Sequence, residues 1–392
     1  MTRVRRVLIV GAGPVGLAAA LGALRRGLDA TVLERDTIGA SLLRWGPTRF
    51  FSPLAMNVPR EAMEMLGADA PSPDAILTGP EFVAKVLAPL AARAPLAGRV
   101  RCGHRVVTVG RAGLCRGDYA RHPLRAERPF RALVETPEGE RTFEADAVLD
   151  ASGTYGQPRA MGVGGLPAPG ERALGERIVR TLGDLDARRT SLAGRAIVLV
   201  GSGHSAANAV HVLEGVAREA PDTRVVWVTR AANLRPCTEV ANDPLPERHR
   251  VVRHANALAA RPPGWLRVER RAAVESVAAS VAGAVRVALS GGRTVDADAV
   301  VSLTGYRPDA SLVSELAVET DPWSEGAARL SRALANVTDC LSVPALSPAD
   351  LDSGEPGFHF VGARSYGSAS TFLLKTGYAQ LETVLDGLCA TA

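Results

Sequence analysis

The chain is short of lysine: Lys85 and Lys375 stand alone among 46 basic residues, all the others being arginine. Aromatic residues are only 4% of the sequence. A nucleic-acid groove needs clustered cations and stacking rings, and here the arginines are dispersed and the rings scarce, so no nucleic-acid partner is expected. Cysteine is thin as well. Cys102, Cys115, Cys237, Cys340 and Cys389 form no CxxC pair and no cluster with histidine, which argues against a dithiol active site and against structural zinc; no metal is expected. There is no apolar run of about 18 residues, so no membrane span is expected. Met1–Arg6 leads straight into a strand-like VLIV segment, too short for a secretory leader and needed at once by the fold, which points to the cytoplasm. No paired carboxylates and no Ser-His-Asp set stand out.

What is present is a chain of 392 residues, 46% hydrophobic and 22% charged, with net charge +5, enough for two or three domains with real cores. It repeats itself. VLIVGAGPVG at 7–16 is echoed by IVLVGSGHSA at 197–206. Each is a wholly apolar run, a Gly-rich turn and an Ala-rich helical stretch; runs of that kind fit parallel strands buried on both faces. AVLDASG at 147–153 is echoed by AVVSLTG at 299–305. The pattern predicts an α/β chain with two Rossmann-like dinucleotide-binding domains. Short strands over 105–110, 130–136 and 141–149 imply an antiparallel layer on the first domain. The Arg-rich stretch 111–129 reads as an exposed loop, and the Gly- and Pro-rich stretch 155–175 as the link between domains. Helices are expected over 80–93 and 371–388.

In the first loop Gly11 permits the tight turn, Gly13 lets backbone approach a pyrophosphate, and Gly16 lets helix and strand pack closely. Pro14 suits the first helical turn. The pyrophosphate would rest on the helix N-terminus, and Glu34, ending the next strand, would accept hydrogen bonds from a ribose. In the second loop, Gly201-Ser202-Gly203-His204-Ser205-Ala206, alanine replaces the third glycine. The following strand ends in Thr229-Arg230 with no acid. A carboxylate would repel a 2′-phosphate, whereas arginine can pair with it, so the second site is expected to prefer NADPH. The alternative for Arg230 is a plain surface residue, and Arg235 is a second, weaker candidate for the same phosphate. His204 could touch cofactor phosphates or cap its helix.

Four further pieces carry a family likeness: GAGPVG at 11–16 with Glu34, ASGTYGQP at 151–158, GSGHSAAN at 201–208 and LTGYRP at 303–308. With FFSPLAMNVPREAM at 50–63 and PEFVA at 80–84, the chain resembles class B flavin-dependent monooxygenases of the flavin-containing monooxygenase type. The resemblance implies a three-layer ββα FAD domain, 1–155 and 300–392, with an NADPH domain, 156–299, inserted. It places Asn57 beside the reactive flavin edge as the catalytic residue, against the alternative of a turn residue before Pro59. It sets Arg44 and Trp45 near the FAD, although Trp45 could be core, and it extends cofactor contacts to Arg35, Val107, Ser152, Gly153, Gly305 and Gly362. The activity implied is NADPH- and O₂-dependent oxygenation of a small organic substrate through a C4a-(hydro)peroxyflavin.

Two stretches depart from the family. RIVRTLGDLDARRTSLAGR at 177–195 has Gly183 but neither the phenylalanine nor the histidine of the class B signature. In HFVGARSYG, 359–367, Ala363 stands where the superfamily usually carries an aspartate. These departures keep two alternatives open: a reductase or dehydrogenase that transfers electrons without oxygen, and a non-catalytic redox-sensing flavoprotein. Lys375 could approach the flavin or a substrate acid, or be a solvated helix residue.

Overall fold

The computed structural model describes residues 4–120, 122–280 and 283–390; Met1 to Arg3 of the opening segment, and residue 121 of the 111–129 stretch, lie outside them. Two five-stranded parallel sheets carry the fold. The first runs β3 (Val100–Arg101), β2 (Asp29–Leu33), β1 (Arg6–Val10), β7 (Ala147–Asp150), β18 (Phe358–Phe360). The second runs β12 (Leu266–Glu269), β11 (Arg224–Val228), β10 (Ala196–Val200), β16 (Ala299–Ser302), β9 (Ile178–Val179).

The sequence echoes are a structural duplication. Val7 pairs with Ala147 in the first sheet as Ile197 pairs with Ala299 in the second. Just before that fourth strand, each unit inserts an antiparallel meander: β4 (Arg105–Arg111), β5 (Phe130–Thr136) and β6 (Gly139–Ala145) in the first, β13 (Val274–Ala279), β14 (Val285–Leu289) and β15 (Arg293–Ala297) in the second. The outer strand beside it comes from the chain's end in the first unit (β18) but from the unit's beginning in the second (β9). The expected domain boundary at 299/300 falls inside β16, which pairs along its length with β10. The expected strand 141–149 is two strands, broken at Asp146, whose carboxylate accepts the backbone N–H groups of Arg5 and Arg6 at 2.9 and 2.8 Å and so ties the turn to the sheet's first strand.

The apolar runs are buried as their composition requires: Val7 to Val10 and Ile197 to Val200 are all within the core. Helix Pro14–Arg25 packs between the first sheet and the closing helix Leu374–Ala390, and Gly22 lets it come close, since a Cβ there would stand 2.7 Å from Leu385. Helix His204–Glu219 packs against helix Pro246–Ala260. The helix expected over 80–93 spans 79–91, opens on a capping box between Thr78 and Glu81, and widens into a π-turn over Val83–Leu87. Pro89 explains the widening: without an N–H it cannot close the bond to Lys85, and the ladder shifts register.

Two corrections concern loops. The 111–129 stretch is not simply exposed. Arg111 and Arg125 are buried, and both bind Glu355, with Arg111 Nε–Oε1 and Arg125 Nη2–Oε2 at 2.8 Å. The 155–175 stretch holds β8 (Gln157–Pro158), which pairs antiparallel with β17 (Tyr306–Arg307) where the chain passes between the units. No helix among the described residues is long and apolar enough to cross a membrane.

Candidate functional site

Both Gly-rich turns open onto one cavity of about 1410 Å³ between the units. The first turn is built as its sequence dictates. Gly11 has φ +100°, and a Cβ there would meet the Ala151 carbonyl at 2.9 Å; at Gly16 a Cβ would fall 1.9 Å from the Gly11 carbonyl oxygen. These are backbone collisions, so no side chain can be accommodated by a rotamer change. At Gly13 a Cβ would meet nothing within 4 Å. Gly13 lines the cavity, so a side chain there would project into the space beside the helix N-terminus. The second turn repeats the design. Gly201 (φ +134°) would collide with the Leu303 carbonyl at 2.3 Å, while Gly203 faces open space. Buried Trp227 donates its indole N–H to the Gly201 carbonyl at 2.7 Å and holds this turn in place.

Glu34 follows directly on β2, beside the first turn. One carboxylate oxygen accepts the Ala12 N–H at 2.8 Å, the other the Asp36 N–H at 2.9 Å, and the residue lines the cavity. Arg230 lines the cavity at the second turn, exposed, and in no ion pair among the described residues. Arg235 reaches toward Glu239 at 3.9 Å and is off the cavity wall. Of the two, Arg230 is thus the one available to a phosphate. Arginines outnumber acids on the wall: Arg44, Arg49, Arg159, Arg172, Arg230, Arg248 and Arg307 against Glu34 and Glu325. Two open Gly-rich turns at helix N-termini, a carboxylate beside the first and an arginine-rich wall are compatible with two dinucleotides.

Pro14, Trp45, Ser152, Gly153, Ser202, His204, Ser205 and Gly305 also line the cavity. Trp45 is partly buried against Phe50, ring centroids 4.9 Å apart, and faces Tyr155 at 6.1 Å, so it serves core and wall together. Arg44 leans on Asp36 at 3.4 Å. His204 is the first residue of its helix; its N-cap, Gly203, has no side-chain cap. Its ring meets Phe51 of the first unit edge to face at 5.2 Å. His204 is exposed on the cavity wall; partial desolvation there, with Arg248 ahead of Asp243, draws the imidazole below its ordinary pKa.

Four predicted contacts are not on the wall. Gly16 lies against the Gly11 carbonyl and Ala151, behind the turn. Gly362 (φ +63°) abuts Val15, where a Cβ would stand 2.8 Å from a methyl group; its neighbours Val361 and Ala363 are on the wall instead. Arg35 turns toward Asp36 at 3.3 Å. Val107 sits in β4 where the pairing with β5 slips between Val106 and Thr108, a β-bulge away from the cavity. Lys375 is exposed and off the wall.

Asn57 borders the cavity, yet its amide is engaged locally. The amide nitrogen donates to the Ser52 and Pro53 carbonyls, each at 3.0 Å, and the amide oxygen accepts the Ser52 hydroxyl at 3.0 Å. Its backbone carbonyl accepts the Tyr378 hydroxyl at 2.7 Å. The side chain thus clamps the 50–58 loop in the manner of a turn residue.

Sequence reasoning missed a buried ion pair behind the first turn. Asp150 ends β7, and its Oδ2 lies 3.0 Å from Arg364 Nε, both side chains being buried. The other oxygen accepts the Ser152 N–H at 3.1 Å. Arg364 also lies over the Phe360 ring at 4.2 Å. It falls in the stretch where Ala363 had drawn attention, but in so arginine-rich a chain nothing marks it as the buried one. Also missed was the Arg248 guanidinium at the cavity edge, bound bidentately by Asp243 at 2.7 Å and touching the Cys340 sulfur at 3.3 Å.

A model of the pyridine nucleotide-disulphide oxidoreductase family matches residues 5–328. No curated protein matches the chain. Similar solved structures include a bacillithiol disulfide reductase from Bacillus cereus (17% identity, all of both chains, TM-score 0.72). An ornithine N-hydroxylase from Kutzneria sp. 744 is 18% identical over 100% of this chain and 99% of the other, with TM-score 0.64. A flavin monooxygenase from Stenotrophomonas maltophilia, a double mutant, is 20% identical over all of both chains, with TM-score 0.61.

Proposed function

The chain belongs to the pyridine nucleotide-disulphide oxidoreductase family, and on that premise we propose that it is an FAD- and NADPH-dependent monooxygenase of a small organic substrate. It is an FAD- and pyridine-nucleotide-dependent oxidoreductase; the choice of NADPH and the transfer of oxygen are the further steps. The observation that carries the reading is the cavity. Both dinucleotide turns open into it, and Cys340 is its one cysteine among the described residues, so no dithiol relay stands between cofactor and acceptor. Electrons then pass directly to a small molecule. The balanced reaction consumes NADPH, a proton and O₂ and yields NADP⁺, water and the oxygenated substrate.

Bound FAD supplies the electron-accepting and oxygen-reactive chemistry. The chain's residues bind, orient and enclose. The first turn and Glu34 hold one dinucleotide; the second turn and Arg230 hold the other. His204 packs on Phe51 and offers a hydrogen-bonding nitrogen to the cavity. Trp45, Phe51 and Tyr155 provide an apolar wall that keeps water from the reacting atoms. Asn57 fixes the loop that presents Phe51, which makes it a positioning residue in this reading.

The test mixes the FAD-loaded protein with NADPH in air, across amine, sulfide and ketone substrates, and follows ¹⁸O₂ incorporation. Oxygen in product, coupled to NADPH use, supports monooxygenation. Hydrogen peroxide as the sole oxygen product, with every substrate unchanged, defeats it. A second reading has its own support. The missing class B signature and the locally engaged Asn57 amide favour an NADPH-dependent reductase without oxygen transfer; substrate reduction in the absence of O₂ would select it. The fold is shared by reductases and oxygenases alike.

Arg230→Ala is expected to raise KM for NADPH about tenfold or more, the worth of a charge-assisted hydrogen bond, while leaving KM for NADH within roughly twofold. Steady-state kinetics with both nucleotides checks this. Equal effects on the two would place the 2′-phosphate elsewhere.

A further inference from the structure

We propose that His211, Glu214 and His254 form a binding site for a divalent transition-metal ion of the zinc class, bridging the two long helices of the second unit. His211 and Glu214 lie three residues apart on helix His204–Glu219 and so share one of its faces. Helix Pro246–Ala260 packs against that helix and brings His254 to the same point. One ligand atom from each residue lies within 4.8 Å of the others. His254 Nε2 is 2.8 Å from Glu214 Oε2, and His211 Nδ1 is 3.9 Å from that oxygen. The two rings stand at 88° with centroids 5.4 Å apart.

Tetrahedral zinc with bonds of about 2.0–2.1 Å sets neighbouring ligand atoms roughly 3.3 Å apart. The observed 2.8 and 3.9 Å to Glu214 bracket that value, and the two imidazole nitrogens lie within 4.8 Å of each other, so small side-chain rotations close the triangle around an ion. The side chains retain 50%, 20% and 37% of their accessible surface in the order His211, Glu214, His254. The site can therefore be entered from solvent and can keep a water as fourth ligand. Two imidazoles and one carboxylate select zinc, copper, nickel or cobalt over magnesium or calcium, which take oxygen donors. The nearby cation Arg250 is held by both oxygens of Glu247 at 2.6 and 2.9 Å, so Glu214 is the carboxylate that meets both histidines.

None of the three residues lines the redox cavity. A bound ion cross-links the helix that begins at the second dinucleotide turn to the helix that carries Arg248. It stabilises the second unit without entering the chemistry. The sequence offered no reason to expect a metal, because a His and a Glu three apart mean little until a residue forty positions on is folded against them.

The experiment uses the full chain with FAD bound, stripped of metals by chelator, and titrated with Zn²⁺. Calorimetry reads stoichiometry and affinity, a thermal melt reads stability, and Co²⁺ reports ligand geometry by visible absorption. One ion per chain and a Tm rise of about 5 °C or more at a hundredfold excess over Kd are expected. The His211→Asn, His254→Asn double variant should bind about tenfold more weakly or worse. Glu214→Gln should weaken binding as well while keeping the shape of the pocket. All these side chains are partly exposed, so the variants should fold, which circular dichroism confirms. An unchanged Tm in saturating Zn²⁺ overturns the proposal. So does an affinity that survives the double variant, which would put the ion elsewhere, for example on the exposed thiols Cys102 and Cys115.

Discussion

Gly13→Val is expected to yield a folded protein that has lost its flavin, and Gly16→Ala to yield little folded protein. The two positions lie three residues apart in one turn but oppose side chains for different reasons. At Gly13 an added Cβ meets no protein atom within 4 Å, so the apoprotein tolerates valine, which then occupies the space a pyrophosphate needs. At Gly16 the added Cβ stands 1.9 Å from the Gly11 carbonyl oxygen. Relief would require moving β1's turn away from the helix, at a cost above about 4 kcal/mol. The measurement is the ratio of flavin absorbance to protein after purification, beside circular dichroism and yield. Gly13→Val should lose roughly a hundredfold or more in FAD affinity, about 2.7 kcal/mol, with near-normal secondary structure. A yellow Gly13→Val protein would mean that the first turn does not hold the cofactor.

Glu355→Gln is expected to destabilise the first unit by about 3–5 kcal/mol, the usual cost of breaking a buried ion pair, and to lower Tm by on the order of 5–10 °C. Glu355 is fully buried and is met by Arg111 and Arg125, and its Oε2 also accepts the Ala317 N–H at 2.9 Å. These contacts join the meander, the Arg-rich stretch and the segment leading into β18. Arg111 also lies 3.7 Å over the Phe130 ring and binds the Pro356 carbonyl. Glutamine keeps the volume but removes the charge, leaving two guanidinium groups in the interior with no anion.

The same network sets a pH signature. Burial opposes ionisation of Glu355, but hydrogen bonds from Arg125, Arg111 and Ala317 outweigh it and hold the carboxyl below its ordinary value. A depressed folded-state pKa means the stabilisation is fully present above the unfolded value of about 4.3 and is lost as pH falls through the folded value. The gap in Tm between wild type and Glu355→Gln should therefore be constant above about pH 5 and narrow below about pH 4. A gap that does not change down to pH 3 would mean that the carboxylate's charge is not what the arginines use.

Much of the fold was legible because its signals are short-range. A wholly apolar strand, a turn that only glycine can make and an alanine-rich helix follow one another within about twenty residues, and their second occurrence at Gly201 revealed the duplication. Glu34 and Arg230 stand out in the sequence for the same reason, since each follows within two residues the strand next in sequence to its turn. Strand 141–149 failed because nothing local announces that Asp146 turns the chain and ties it to Arg5 and Arg6. Asn57 was readable as a position but not as a contact. Whether its amide faces a ligand or its own loop depends on where Ser52 and Pro53 direct their carbonyls.

The sequence by itself determined two Gly-rich strand-turn-helix units, because backbone conformation near a glycine is decided within a few residues. Only the tertiary structure decided which of the many arginines are buried and which face the cavity. Arg111 meets Glu355 across 244 positions, Arg364 meets Asp150 behind the first turn, and Arg230 has no acid against it among the described residues. Charge pairing at such separation leaves no periodicity in the chain, since it is fixed by where whole sheets and helices come to rest.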